Sequence, residues 1–317
     1  MSENETSSQF HDSSIGNMFL QIVLIIELIV GLPGIIMALW IFCVRMKQWK
    51  PHVIFLFNLV LADFLLLISV PFRIDAYRQN NNWRFGSIWC RINLYMLSVN
   101  RSASIAFMTV VAVDRYFKVV HPHHCISRLT TTQTGRLAGL LWAVVIALRI
   151  PLLTTDLLQK SGNISLCRSF NSYEVIPKSV LVHYVVYIVE FFLPWFLLLF
   201  CSARIAFHLC KRHMDRLKMV RKAIRTVIVI SMVFTFCFMP SVVTGLVGLH
   251  IKTFYPKETA YYKTCTELFM ICIGFTYLNS ALDPLIYFYS SSTFNVTLKR
   301  SLSLKKTVRA ANRPKRK

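Results

Sequence analysis

Residues 90–120 read CRINLYMLSVNRSASIAFMTVVAVDRYFKVV, one long apolar helix with few interruptions. Cys90 opens it, Arg101 stands alone near its middle, and Asp114-Arg115-Tyr116 lies close to its end. On a helix, Cys90 and Arg101 are roughly 16 Å apart along the axis, and Arg101 and Arg115 roughly 21 Å. At about 100° per residue all three fall within roughly 40° of one face. One side of one helix therefore carries a tether and two buried charges. That arrangement suits a signal passed along a membrane helix.

The neighbouring sequence has the same character. The 317 residues are 55% hydrophobic, and the mean hydropathy of +0.51 reflects long apolar blocks rather than dispersed core positions. Crossing a bilayer takes about 20 apolar residues per helix. Seven such blocks lie at 18–43, 53–77, 88–120, 137–158, 180–209, 223–249 and 266–289. Only helices satisfy their own backbone donors within single segments of this kind in lipid. The expected fold is an all-α bundle of seven transmembrane helices over 18–290, with a tail at 1–17 and a cytoplasmic segment at 291–317. No internal repeat is evident, which counts against a transporter built from two halves.

Charge sets the orientation. Arg45, Lys47 and Lys50 follow the first block; Lys211, Arg212, Arg216, Lys218, Arg221 and Lys222 fill the third loop; the chain ends KKTVRAANRPKRK. By the positive-inside rule these segments are cytoplasmic and the N-terminus is extracellular. The net charge of +22 then reflects topology and attraction to anionic inner-leaflet lipid, not nucleic acid. Residues 1–17 hold no Lys or Arg and no apolar core, so no cleaved leader is expected.

Several residues stand out against this frame. Asn4 and Asn163 lie in glycosylation sequons on the outer side. Asp63 sits deep in NLVLADFLLL, where a carboxylate needs water, an ion or a polar partner. Its alternative reading is a polar node between helices. Arg73 lies near the outer mouth, within reach of the interface. Trp83 and Trp89 flank the next outer loop. Of the nine cysteines, Cys90, Cys167 and Cys265 face the oxidising side. Cys90 with Cys167 is the economical disulfide, leaving Cys265 over. Arg101 is about three turns below Cys90 and needs a counter-charge. Two sources remain open, a ligand carboxylate from outside or an internal acid, Glu190 or Asp63. The sixth helix carries Cys237-Phe238-Met239-Pro240, and the seventh carries Tyr277, Asn279, Asp283, Pro284 and Tyr287. Both prolines free a backbone carbonyl and make hinges. Residues 292–304 suit a short amphipathic helix on the inner surface. His121, His123 and His124 lack a helically spaced carboxylate or thiol, so no metal and no cofactor are expected. With no nucleophile–base pair either, the chain does not read as an enzyme.

These motifs together resemble a rhodopsin-like (class A) G-protein-coupled receptor. The resemblance rests on LVLAD with Asp63, Cys90 with Cys167, Asp114-Arg115-Tyr116, Trp142, Pro194, CFMP and DPLIY. A narrower likeness is carried by NWRFG, the segment around Arg101, VAVDRYFKVVHPHH, EFFLP, LFCSARI and FTYLNSALDP. These are similar to the hydroxycarboxylic acid and oxoeicosanoid receptor group. The resemblance implies that Arg101 binds a ligand carboxylate, helped by Ser169, Tyr277 and Trp83. It also implies coupling to Gi and a fall in cyclic AMP. Arg73 and Phe170 join the expected ligand site, and Asp63, Asp114, Arg115, Tyr116, Phe238, Pro240, Asp283, Pro284 and Tyr287 the expected activation path.

Three departures from the pattern matter. Ile35 replaces the usual asparagine of the first helix, which takes a partner from Asp63. Gly245 stands where hydroxycarboxylic acid receptors often have a second arginine. A glycine opening the pocket wall favours a longer lipid acid over lactate. The cysteines that tie the N-terminal tail of those receptors to their outer loops are absent from residues 1–17. The expected mechanism has an acid pairing with Arg101, the sixth helix biased about Phe238 and Pro240, and Arg115 released from Asp114 toward a G protein. The alternatives are an orphan or atypically signalling receptor and, less well supported, a transporter.

Overall fold

The computed structural model describes residues 14–46, 49–79, 81–155, 157–161, 164–167, 178–212, 218–255, 259–291 and 294–299. Among them are seven helices long and apolar enough to cross a membrane. The first, α1, is a composite of Ser14–Ile26, Glu27–Gly31, Leu32–Trp40 and Ile41–Arg45, its second and fourth parts wound as π-turns. Then come α2 (Pro51–Arg78), α3 (Gly86–Val120) and α4 (Thr131–Arg149, continued by Pro151–Thr154). The strands β1 (Leu158–Ser161) and β2 (Ile164–Cys167) follow, and then α5 (Lys178–Arg212), α6 (Lys218–Phe254) and α7 (Thr259–Ser290).

Local chemistry accounts for the boundaries. The wide turn Glu27–Gly31 immediately precedes Pro33. Proline donates no backbone N–H, and a π-turn absorbs the lost register. Helix α2 begins with Pro51 in its first turn. Gly86 starts α3 at φ 79°, a left-handed conformation that a side chain would strain. Thr130 and Gln133 form a capping box that starts α4 six residues before the apolar block. The fourth span therefore gains a polar first turn.

The outer loop holds a feature that the apolar pattern did not predict. Strands β1 and β2 pair antiparallel, Leu158 opposite Cys167 and Ser161 opposite Ile164. Cys167 is bonded to Cys90 at the top of α3. The Trp83 backbone N–H donates to the Ser165 carbonyl at 2.7 Å, and the Ser165 N–H donates to Asn82 Oδ1 at 3.1 Å. Ala76, Trp83, Cys90, Leu94, Leu152, Leu157 and Cys167 pack into a small outer core beneath this hairpin.

The main core draws buried side chains from all seven helices. Phe191 stacks on Phe234 at 5.5 Å, and Phe234 meets Phe238 edge-on at 5.3 Å. Large apolar side chains also face outward. Leu193, Phe196, Phe200 and Phe207 form an exposed stripe along α5, at the spacing of a lipid-facing helix side. Beyond α7, residues 294–299 are helical, with Phe294 buried against Phe42 and Tyr287. The rest of the expected inner-surface helix lies outside the described residues, as do Asn4 and Asn163.

Candidate ligand site and signalling network

Arg101 projects from the middle of α3 into the bundle. Its Nε and Nη2 atoms are buried and have no hydrogen-bond partner among the described residues. The guanidinium instead lies over the Tyr187 ring at 4.0 Å and faces Phe238 at 5.8 Å. Ring faces attract a cation but accept none of its directed N–H bonds in full. Both internal acids weighed from the sequence are engaged elsewhere. Glu190 pairs with Arg149 of α4. Asp63 accepts from Ser280 Oγ at 2.8 Å and from the Tyr287 hydroxyl at 2.7 Å.

Arg73 sits above this site and is buried, not snorkelling. Its Nε donates to Asn93 Oδ1 at 2.8 Å and its Nη1 to the Cys167 carbonyl at 3.2 Å. Trp83 covers it, with the guanidinium carbon 5.6 Å from the ring, and the indole N–H donates to the Gly86 carbonyl at 2.9 Å. These two residues therefore build a polar roof between α2, α3 and the hairpin. Tyr277 packs against Leu24, Leu66 and Val70. Leu97, one helical turn before Arg101 on α3, packs on that same cluster. Ser169 and Phe170 lie outside the described residues.

Two readings of the pocket change. Gly245 does not open a wall, because a Cβ built there would meet Phe269 Cε2 at 3.3 Å. The aromatic ring of α7 fills the space the glycine leaves, and the case for a long acid loses that support. Asn93, which the sequence reading passed over, is the keystone of the roof. Besides receiving Arg73 it donates from Nδ2 to the Ser69 carbonyl at 3.0 Å. Its signal was an amide within an apolar helix, one turn after Cys90.

The inner half holds the expected signalling residues in a different pairing. Ile35 is fully buried in the core, yet Asp63 is not left without a partner, because α7 supplies both hydroxyls. Asn100 Nδ2 donates to the Ala62 carbonyl at 2.9 Å, and Asn279 Nδ2 to Asp283 Oδ2 at 3.2 Å. At the α6 hinge, Ser241 Oγ donates to the Phe238 carbonyl at 2.9 Å and Thr276 Oγ1 to that of Cys237 at 3.0 Å. The side chains thus stabilise the backbone around Pro240. Pro284 lies within α7, close to Gly34. Asp114 does not clasp Arg115. It pairs with Lys118 at 2.7 Å, one turn away on α3, while Arg115 Nη2 donates to the Ser290 carbonyl at 3.1 Å. Tyr116 packs against Phe200 of α5 at 5.7 Å.

Comparison with known proteins agrees with this architecture. The family model described as "7 transmembrane receptor (rhodopsin family)" matches residues 34–287. Hydroxycarboxylic acid receptor 2 of Rattus norvegicus is 43% identical over 291 residues, spanning 90% of this chain and 78% of that one. Hydroxycarboxylic acid receptor 3 of Homo sapiens is 44% identical over 276 residues, 86% of this chain and 70% of that one. Oxoeicosanoid receptor 1 of Homo sapiens is 38% identical over 282 residues, 89% of this chain and 72% of that one. With seven apolar helices, a tethered outer hairpin and a family match over most of its length, the chain belongs to the rhodopsin-like (class A) G-protein-coupled receptors, which are multi-pass plasma-membrane receptors and not enzymes.

Proposed function

We propose that this receptor responds to a carboxylate-bearing small molecule, a hydroxycarboxylic acid or an oxidised fatty acid, and signals through Gi to lower cyclic AMP. The observation that carries the reading is Arg101, a bundle-facing cation with buried Nε and Nη2 donors unpaired among the described residues. An uncompensated charge at membrane depth is costly and tends to mark a functional site. A carboxylate presents two oxygens that fit the guanidinium fork. The names of the relatives point to acids of these two classes.

In this mechanism the N-terminus is outside, and the acid passes beneath the hairpin tethered by Cys167. It pairs with Arg101 between Tyr187 and Phe238. Arg73 holds the roof through Asn93 and the Cys167 carbonyl and adds positive potential above the site. Ser169, Phe170 and Tyr277 are the further proposed ligand contacts. Drawing the guanidinium toward the acid loosens its hold on Phe238, biasing α6 about Pro240. The ligand shifts that equilibrium only by its difference in affinity for the two arrangements. The basic inner face between α5 and α6 receives the G protein. Asn4 and Asn163 are the proposed glycan sites.

The test is inhibition of cyclic AMP in cells expressing the wild type or Arg101→Ala at matched surface density, with pertussis toxin as control. Short hydroxy acids, nicotinic acid and oxidised arachidonate acids form the panel. An active acid should lose at least about thirtyfold in potency on the variant, the scale of breaking a desolvated charge pair, and its methyl ester should be inactive. Equal potency on both receptors would make Arg101 structural and refute the site.

A further inference from the structure

A second arginine stands beside the helix turn that carries Arg101. Arg149 of α4 is buried. Its Nε and Nη2 donate to Ser102 Oγ at 2.9 and 2.7 Å, and Nη2 also pairs with Glu190 of α5. Ser102 is the residue after Arg101. Glu190 lies three residues beyond Tyr187, whose ring carries the Arg101 guanidinium. Residues three apart on a helix are neighbours, with Cβ atoms roughly 5–6 Å apart. Glu190 therefore lies one turn along α5 from the ring that Arg101 meets, and Asp63, the other acid weighed for the role, is engaged by Ser280 and Tyr287.

We propose that Arg149 is a positioning residue that sequesters Glu190, so that the Arg101 guanidinium stays available to an external carboxylate instead of closing on an internal one. This rests on the carboxylate reading for its consequence, but its physical content does not. Arg149 and Glu190 form an ion pair at the junction of α3, α4 and α5, beside the residue that follows Arg101 on α3. The acid goes to Arg149 because the Ser102 hydroxyl holds that guanidinium's edge in place. Losing Arg149 leaves Glu190 as a largely enclosed carboxylate, 14% exposed and unpaired, a costly state that a turn toward Arg101 relieves.

The first test needs no ligand. Thermal unfolding of the purified receptor is measured for Arg101→Met, Glu190→Gln and their combination, once with Arg149 present and once in the Arg149→Met background. With Arg149 present, the two substitutions should shift Tm additively. In the Arg149→Met background they should be non-additive, since either one breaks the new pair. Additive shifts in both backgrounds would overturn the proposal. The second test uses nicotinate or an oxidised arachidonate acid, whichever activates the wild type, at matched surface density. Arg149→Met should lower potency at least about tenfold, and Arg149→Met with Glu190→Gln should recover to within about threefold. A double variant at the cell surface that stays as weak as the single one would overturn it. Glu190→Gln alone should keep or gain potency, and a loss on the scale of Arg101→Ala would also refute the role. An inactive acid panel would count against the carboxylate reading alone, while the thermal cycle still decides this one.

Discussion

Asp63 lacks an asparagine on α1 to meet it, and two hydroxyls from α7 take that place. Replacing Tyr287 by Phe removes one donor and leaves Oδ2 of a fully buried carboxylate unsatisfied. Tyr287→Phe should therefore lower stability by about 1–3 kcal/mol, read as a lower Tm of the purified receptor. At this scale the sequence was legible wherever a polar residue interrupts an apolar helix. Arg101, Asp63 and the disulfide cysteines are visible from depth and topology alone. Their partners were less so, because a partner is a matter of three-dimensional competition. Glu190 looked available to Arg101 until Arg149 claimed it, and Arg115 looked bound to Asp114 until Lys118 did. Gly245 read as open space because a sequence does not reveal that Phe269 leans into it.

The seven apolar blocks became seven helices, and their ends moved where polar caps took over. Thr130 extends α4 backward, and the pair β1–β2 ends its forward reach. Neither strand was legible, since four residues between loop segments carry too little alternation to be distinguished from a turn. The π-turns of α1 had a local cue in Gly31, Pro33 and Gly34, but their winding depends on what packs against them. Contacts between helices are correspondingly close. A Cβ at Gly274 of α7 would lie 2.8 Å from Phe19 Cε1 and 3.5 Å from Val23 Cγ2 of α1. Gly274→Leu should push α1 from α7 and cost about 1–3 kcal/mol. Thermal unfolding should show it, whereas Gly139→Leu on α4, with nothing within 4 Å of its Cβ, should leave Tm near the wild-type value.

Across the whole molecule, polar contacts run from the roof to the inner surface. Arg73 and Asn93 hold the hairpin, Asp63 joins α2 to α7, and Arg115 joins α3 to Ser290 at the end of α7. The inner end depends on Lys118 engaging Asp114. Lys118→Met should return Asp114 to Arg115, draw it from Ser290 and lower basal nucleotide exchange on a reconstituted G protein, by roughly the worth of one partly exposed charge contact, about twofold to fivefold. Unchanged exchange would mean that the Arg115–Ser290 contact plays no part in coupling. The position of Arg101 over Tyr187 and against Phe238 has a pharmacological consequence. If an acid binds there as proposed, its total affinity and its efficacy separate, because only the preference for the arrangement with Arg101 drawn from Phe238 activates. A ligand of equal affinity for both arrangements shifts neither, however tightly it binds. Under the proposed mechanism, an acid that draws Arg101 from Phe238 should activate, and one that binds without moving it should block.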